Sequence, residues 1–125
     1  MLLVDDEYDT CMLYQMVLQD AGYECIPYVD SVKALQEFKP LFYNLVLLDI
    51  KMPMLSGFEL YKKIRENDKN VKVIFITASE FYYEQLRRQR YPGTSDDINI
   101  KYLQKPIGND DLLKIVNRAM ATKGT

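Results

Sequence analysis

The sequence predicts an α/β fold: a three-layer sandwich in which five helices cover both faces of a five-stranded parallel sheet. Three observations carry this. Five short apolar runs alternate along the chain with longer amphipathic stretches, an order that right-handed βαβ crossovers turn into a parallel sheet. Three of the runs, LLV, LVLL and VKVIFI, are apolar almost throughout, as strands covered on both faces must be. The stretches between them carry apolar residues at helical spacing, with start or stop signals at their ends.

Taken in order, LLV (2–4) is the first strand. Asp9 to Ala21 follows as a helix whose apolar face is read as Leu13, Met16 and Val17, stopped by Gly22. YECIPY (23–28) is the second strand, and Ser31 is placed to cap a helix bearing Ala34, Leu35 and Phe38. After the third strand, LVLL (45–48), the run Ser56-Gly57-Phe58-Glu59 has capping-box spacing and opens a helix with Leu60, Tyr61 and Ile64 inward. VKVIFI (71–76) is the fourth strand. Ser79 can cap a helix from Glu80 to Arg90, whose last turn gathers Arg87, Arg88 and Arg90 where the helix dipole favours cations. YPGTSDDIN (91–99) reads as a loop longer than a compact α/β unit needs. IKYLQ (100–104) is the fifth strand, and the fifth helix starts near Asn109 with Leu112, Ile115, Val116 and Ala119 at i, i+3, i+4 and i+7.

Composition narrows the function. A length of 125 residues suits one domain with a real core. The balance of 16 basic against 18 acidic residues supplies no field for nucleic acid or a membrane surface. Cys11 and Cys25 lack metal-ligand or framework spacing, so reduced thiols and a cytoplasmic location are expected. No run is long enough to span a membrane, and MLLV leads straight into DDE, so no leader is expected. The chain has no histidine at all, which removes the commonest general base and transition-metal ligand. Any metal must be held by oxygen, which points to a hard cation.

Ligand sites in such sheets form beyond the carboxyl ends of the strands, near the place where strand order reverses. Asp5 and Asp6 follow the first strand, Asp49 the third, Thr77 the fourth, and Lys105 with Pro106 the fifth. If these four strands are neighbours, the groups converge. Three close carboxylates repel, so they either raise a pKa or bind a divalent cation such as Mg²⁺. Lys105 adds a point charge for a phosphoryl oxygen and Thr77 a hydroxyl donor, while Asp49 is placed as a carboxylate nucleophile for phosphoryl transfer. Each residue alone has a plain alternative, since Asp-Asp after a strand is often a turn and cap. The joint occurrence favours a site.

LLVDDE, LVLLDIKMPMLSG, FITAS and YLQKPI, in this order, resemble the receiver domain of two-component response regulators across essentially the whole chain. The resemblance implies a flavodoxin-like sheet of order 2-1-3-4-5, with Asp49 accepting a phosphoryl group from a histidine kinase or phosphotransfer protein. It implies Mg²⁺, or Mn²⁺ in its place, on Asp6, Asp49 and the backbone carbonyl of Lys51, with Asp5 acting mainly through water. Lys105 would contact the phosphoryl group, and Pro106 is similar to a cis-proline that aims the lysine. Thr77 and Tyr102 match a switch pair that alters the surface of the fourth helix, fifth strand and fifth helix. That surface would serve a downstream protein or a homodimer. Lys51 and Ser79 occupy positions that tune phosphoryl lifetime, and here suggest slow self-hydrolysis. The family is a phosphoacceptor, catalysing only its own phosphorylation and dephosphorylation.

The chain departs from the pattern between Thr77 and Lys105, where the spacing is longer than usual and SDDINI replaces a small Gly-Ala pair. FYYEQLRRQRY sets Phe81, Tyr82, Tyr83 and Tyr91 beside arginines, a composition enriched at interaction surfaces, though a helix with aromatics inward explains it slightly better. Two other functions share parts of the residue set. A haloacid-dehalogenase-like phosphatase uses the same nucleophile, but its second acid would fall at Lys51; a pseudo-receiver would keep the fold without being phosphorylated. Residues 1–122 are expected to form the domain and 123–125 a tail, in either a stand-alone receiver or part of a longer regulator.

Overall fold

A computed structural model describes residues 1–88 and 100–121. The elements run β1 (Leu2–Val4), α1 (Tyr8–Asp20), β2 (Ile26–Tyr28), α2 (Ser31–Gln36), β3 (Leu45–Asp49), α3 (Gly57–Asn67), β4 (Lys72–Thr77), α4 (Glu80–Arg87), β5 (Ile100–Gln104) and α5 (Asn109–Ala121). All strand pairs are parallel and their order is β2-β1-β3-β4-β5, as expected. The expected loop 91–99, Arg90, the side chain of Arg87 and the tail 123–125 lie outside the described residues.

The two faces of the sheet build two cores, because successive strand residues point to opposite sides. Leu2, Val4, Val46, Leu48, Val73 and Phe75 pack with Ala34 of α2 and Phe58, Leu60, Tyr61 and Ile64 of α3. Leu3, Leu45, Leu47, Ile74 and Ile76 pack on the other side against α1 and α5. The central strand β3 is buried from Leu45 to Asp49, so both layers depend on it. Removing one such leucine side chain costs about 2–5 kcal/mol. No helix among the described residues is long and apolar enough to cross a membrane.

Three local expectations need correction. On α1 the buried residues are Cys11, Tyr14, Val17 and Leu18, whereas Leu13 and Met16 are exposed. Apolar residues surround α1 on nearly every side, and only docking on the sheet selects the inner face. On α2 the cap is Asp30, whose carboxylate accepts from Val32 and Lys33 N–H, because Asp30 holds the extended conformation a cap requires. Ser31 is instead buried inside the helix and its hydroxyl donates to the Pro53 carbonyl at 3.3 Å. β2 starts at Ile26 and not Tyr23, because the Tyr23 N–H closes α1 on the Leu18 carbonyl while Gly22 takes a φ of +96°. The Ser56–Glu59 capping box forms in both directions.

Candidate functional site

Strand register brings the polar groups together. Val4 lies opposite Leu48, so Asp5 leaves β1 abreast of Asp49 at the end of β3. Thr77 lies opposite Gln104, so Lys105 leaves β5 at the same edge. These residues, with Lys51, Ser79 and Glu7, border a cavity of about 510 Å³ or stand at its wall.

Asp5 and Asp49 are buried, Asp6 is exposed, and one oxygen from each lies within 4.8 Å of the others. Each buried carboxylate is held on two sides. Asp49 Oδ1 accepts from the Ile50 N–H at 2.8 Å and Asp5 Oδ1 from the Glu7 N–H at 3.0 Å. Their Oδ2 atoms face Lys105, whose Nζ stands 2.8 Å from Asp5, 3.5 Å from Asp49 and 3.8 Å from Glu7 Oε1. Burial, reinforced by the charge of Asp5, pushes Asp49 up to about 6. Burial pulls Lys105 down, but its hydrogen bond to Asp5 and the charges of Asp49 and Asp5 outweigh this, so its pKa is raised and it stays an ammonium. This repelling set of hard oxygen donors, without nitrogen or sulfur ligands, fits a divalent cation such as Mg²⁺.

The surrounding groups are placed by the backbone. Lys105 N–H donates to the Thr77 carbonyl at 2.7 Å, and the Lys105–Pro106 bond is cis. Thr77 is fully buried, and its Oγ1 accepts from the Ser79 N–H at 3.0 Å. Ser79 Oγ in turn accepts from the Tyr82 N–H, so it caps α4 as expected. Tyr102 is half-buried and meets Tyr83 edge to face. Lys51 is exposed at the cavity rim. Of the aromatic segment, Tyr82 and Tyr83 turn inward, Phe81 is exposed, and Arg88 pairs with Glu84 at 3.4 Å; Tyr91 lies outside the described residues.

Sequence reasoning missed Glu7, although the DDE run displayed it. It also understated Gly57, where an added β-carbon would overlap the Asp49 carbonyl oxygen and sit 2.8 Å from Ile50 Cα. Nothing in the one-dimensional pattern announces that close approach.

The response regulator receiver domain model matches residues 1–117. The transcriptional regulatory protein DltR of Streptococcus agalactiae is 33% identical over 113 residues, covering 90% of this chain and 48% of that protein. Sporulation initiation phosphotransferase F of Bacillus subtilis is 35% identical over 77 residues, 62% of each chain. Among solved structures, the response regulator TrrA of Thermotoga maritima, in complex with Mg²⁺ and BeF, has a TM-score of 0.76 at 32% identity, covering 94% of this chain and 96% of that one. This chain spans about half the length of the transcriptional regulator it matches. With the matched family model, the parallel sheet of order 2-1-3-4-5 and the carboxylate cluster at its edge, the chain belongs to the receiver domain family of two-component response regulators.

Proposed function

We propose that Asp49 is the phosphoacceptor. The observation that carries this reading is the Lys105 ammonium held between Asp5 and Asp49 at the open end of the sheet. Asp49 Oδ2 forms a bond to the phosphorus of a phosphohistidine on a kinase or phosphotransfer protein. The phosphorus–nitrogen bond breaks, and the leaving imidazole keeps its electron pair and takes a proton from solvent. The donor must lie outside this chain, which has no histidine. Lys105 moves its charge from Asp5 and Asp49 to a phosphoryl oxygen, and Thr77 donates its hydroxyl to another. Asp6, Asp49 and the Lys51 carbonyl would hold Mg²⁺ or Mn²⁺, with Asp5 acting mainly through water, and the ion would supply charge neutralisation to the transferred group. Lys51 lies over the phosphoryl group and hinders water, while Ser79 offers no acid or amide to orient it. Pro106 helps to aim Lys105.

Thr77 and Tyr102 then switch the face made by α4, β5 and α5 toward a downstream protein or a second copy. Residues 1–122 act as this domain in the cytoplasm, and the domain turns over no external substrate. Incubation with Mg²⁺ and a small acyl phosphate, followed by intact-mass measurement, tests the reading. A phosphoryl-sized gain absent from Asp49→Asn supports it. No labelling from any donor favours a pseudo-receiver, and steady hydrolysis of phosphate esters favours a phosphatase.

A further inference from the structure

Ser79 joins three groups through three hydrogen bonds. Its N–H donates to Thr77 Oγ1 at 3.0 Å, its Oγ accepts from the Tyr82 N–H at 3.3 Å, and its carbonyl accepts from the Tyr83 N–H at 3.0 Å. The two tyrosines tied to it pack α4 against two neighbouring elements. Tyr82 meets Phe58 of α3 edge to face at 5.8 Å, and Tyr83 meets Tyr102 of β5 edge to face at 5.6 Å. Thr77 and Tyr102 share the sheet face of α3 and α4, since Tyr102 lies opposite Phe75 and Thr77 follows two residues on.

From this geometry we infer that Tyr83 is a positioning residue: its ring holds Tyr102 in the resting place, and Ser79 links the Thr77 hydroxyl to that contact. The inference rests on the phosphoacceptor reading of Asp49. In the resting protein Thr77 Oγ1 is engaged by its own loop. When the Thr77 hydroxyl turns toward a phosphoryl oxygen, the Ser79 N–H loses its acceptor. The first turn of α4, anchored on Ser79, shifts and draws the Tyr83 ring away from Tyr102. Receiver function therefore depends here on an α4 aromatic side chain that touches neither metal nor phosphoryl group.

The test uses beryllofluoride with Mg²⁺ as a non-hydrolysing phosphoryl mimic on the wild type, Tyr83→Ala, Tyr83→Phe and Asp49→Asn. Binding is followed by NMR of ring-labelled tyrosine, with Tyr102 assigned through Tyr102→Phe. Loss of one edge-to-face pair should tighten beryllofluoride binding by Tyr83→Ala roughly 2- to 10-fold and move the resting Tyr102 signal toward its activated position. Tyr83→Phe, which keeps the ring, should match wild type. Wild-type affinity and an unmoved Tyr102 signal in a folded Tyr83→Ala protein overturn the inference alone, as does a Tyr83→Phe effect as large as that of alanine. Should Tyr83→Ala not fold, Tyr83→Leu replaces it with the same expectation. Failure of wild type to bind beryllofluoride in an Asp49-dependent way overturns the phosphoacceptor reading and the inference together.

Discussion

Gly57, the first residue of α3, lies against the main-chain carbonyl of Asp49 so closely that no β-carbon fits between them. Its N–H donates to the next carbonyl, that of Ile50, at 2.8 Å. The helix is thus docked directly on the end of β3, and the contact fixes where the Asp49 carboxylate emerges. Gly57→Ala must move either α3 or that strand end. We expect a loss of about 1–3 kcal/mol in chemical denaturation and slower labelling by acyl phosphate. Wild-type stability with wild-type labelling would show that the approach is not needed.

The Asp49 carboxyl should make metal-free stability depend on pH. Burial and Asp5 raise it from 3.8 to about 6 in the folded protein. Between these values the folded state holds a proton that the unfolded chain has released, so this group favours folding at low pH and the benefit is lost as pH rises through about 6. Asp49→Asn keeps an oxygen for the Ile50 N–H and removes the charge. Relative to wild type it should be more stable by about 1–3 kcal/mol at pH 7, and the difference should shrink toward pH 4. Equilibrium urea unfolding across that range checks it.

Lys105 is the counter-charge to that repulsion. Its side chain is 9% exposed and its removal leaves Asp5 and Asp49 facing each other. Lys105→Met should cost about 3 kcal/mol without metal and recover part of it in millimolar Mg²⁺, as followed by thermal unfolding. Acyl-phosphate labelling should fall at least about tenfold with the loss of one charge on the transferred group. Labelling at the wild-type rate would remove Lys105 from the chemistry.

Lys51 lies exposed at the rim of the cavity that Asp49 lines, two residues beyond the acceptor, where its side chain can lie over the phosphoryl group in the proposed geometry. Lys51→Asn should shorten the phosphoryl half-life severalfold, read by loss of label after quenching the donor. Equal half-lives would discard the guarding role.

How much of this was legible in the residues differs by element. β3 and the Ser56–Glu59 box could be read directly, because an unbroken apolar run and a spaced cap have few other solutions. The face of α1 could not. Leu13 and Met16 are as apolar as Val17 and Leu18, and the choice among them is made by the sheet. Asp30 and Ser31 are both good caps, and backbone conformation alone separates them. At the site, Asp5, Asp6, Asp49, Thr77 and Lys105 were visible as strand-end polar groups, and parallel register brings them together. The Gly57 contact and the Tyr83–Tyr102 pair are products of packing between distant segments, which periodicity does not encode.

The central claim is that Asp49, among three adjacent acids, carries the phosphoryl group. Borohydride reduces an acyl phosphate to an alcohol, so a phosphorylated aspartate becomes homoserine and its position can be read by peptide mass mapping. After labelling with Mg²⁺ and acyl phosphate, homoserine at position 49 is the predicted result. Homoserine at Asp5 or Asp6, or at none of the three in a protein that has gained the phosphoryl mass, would contradict it.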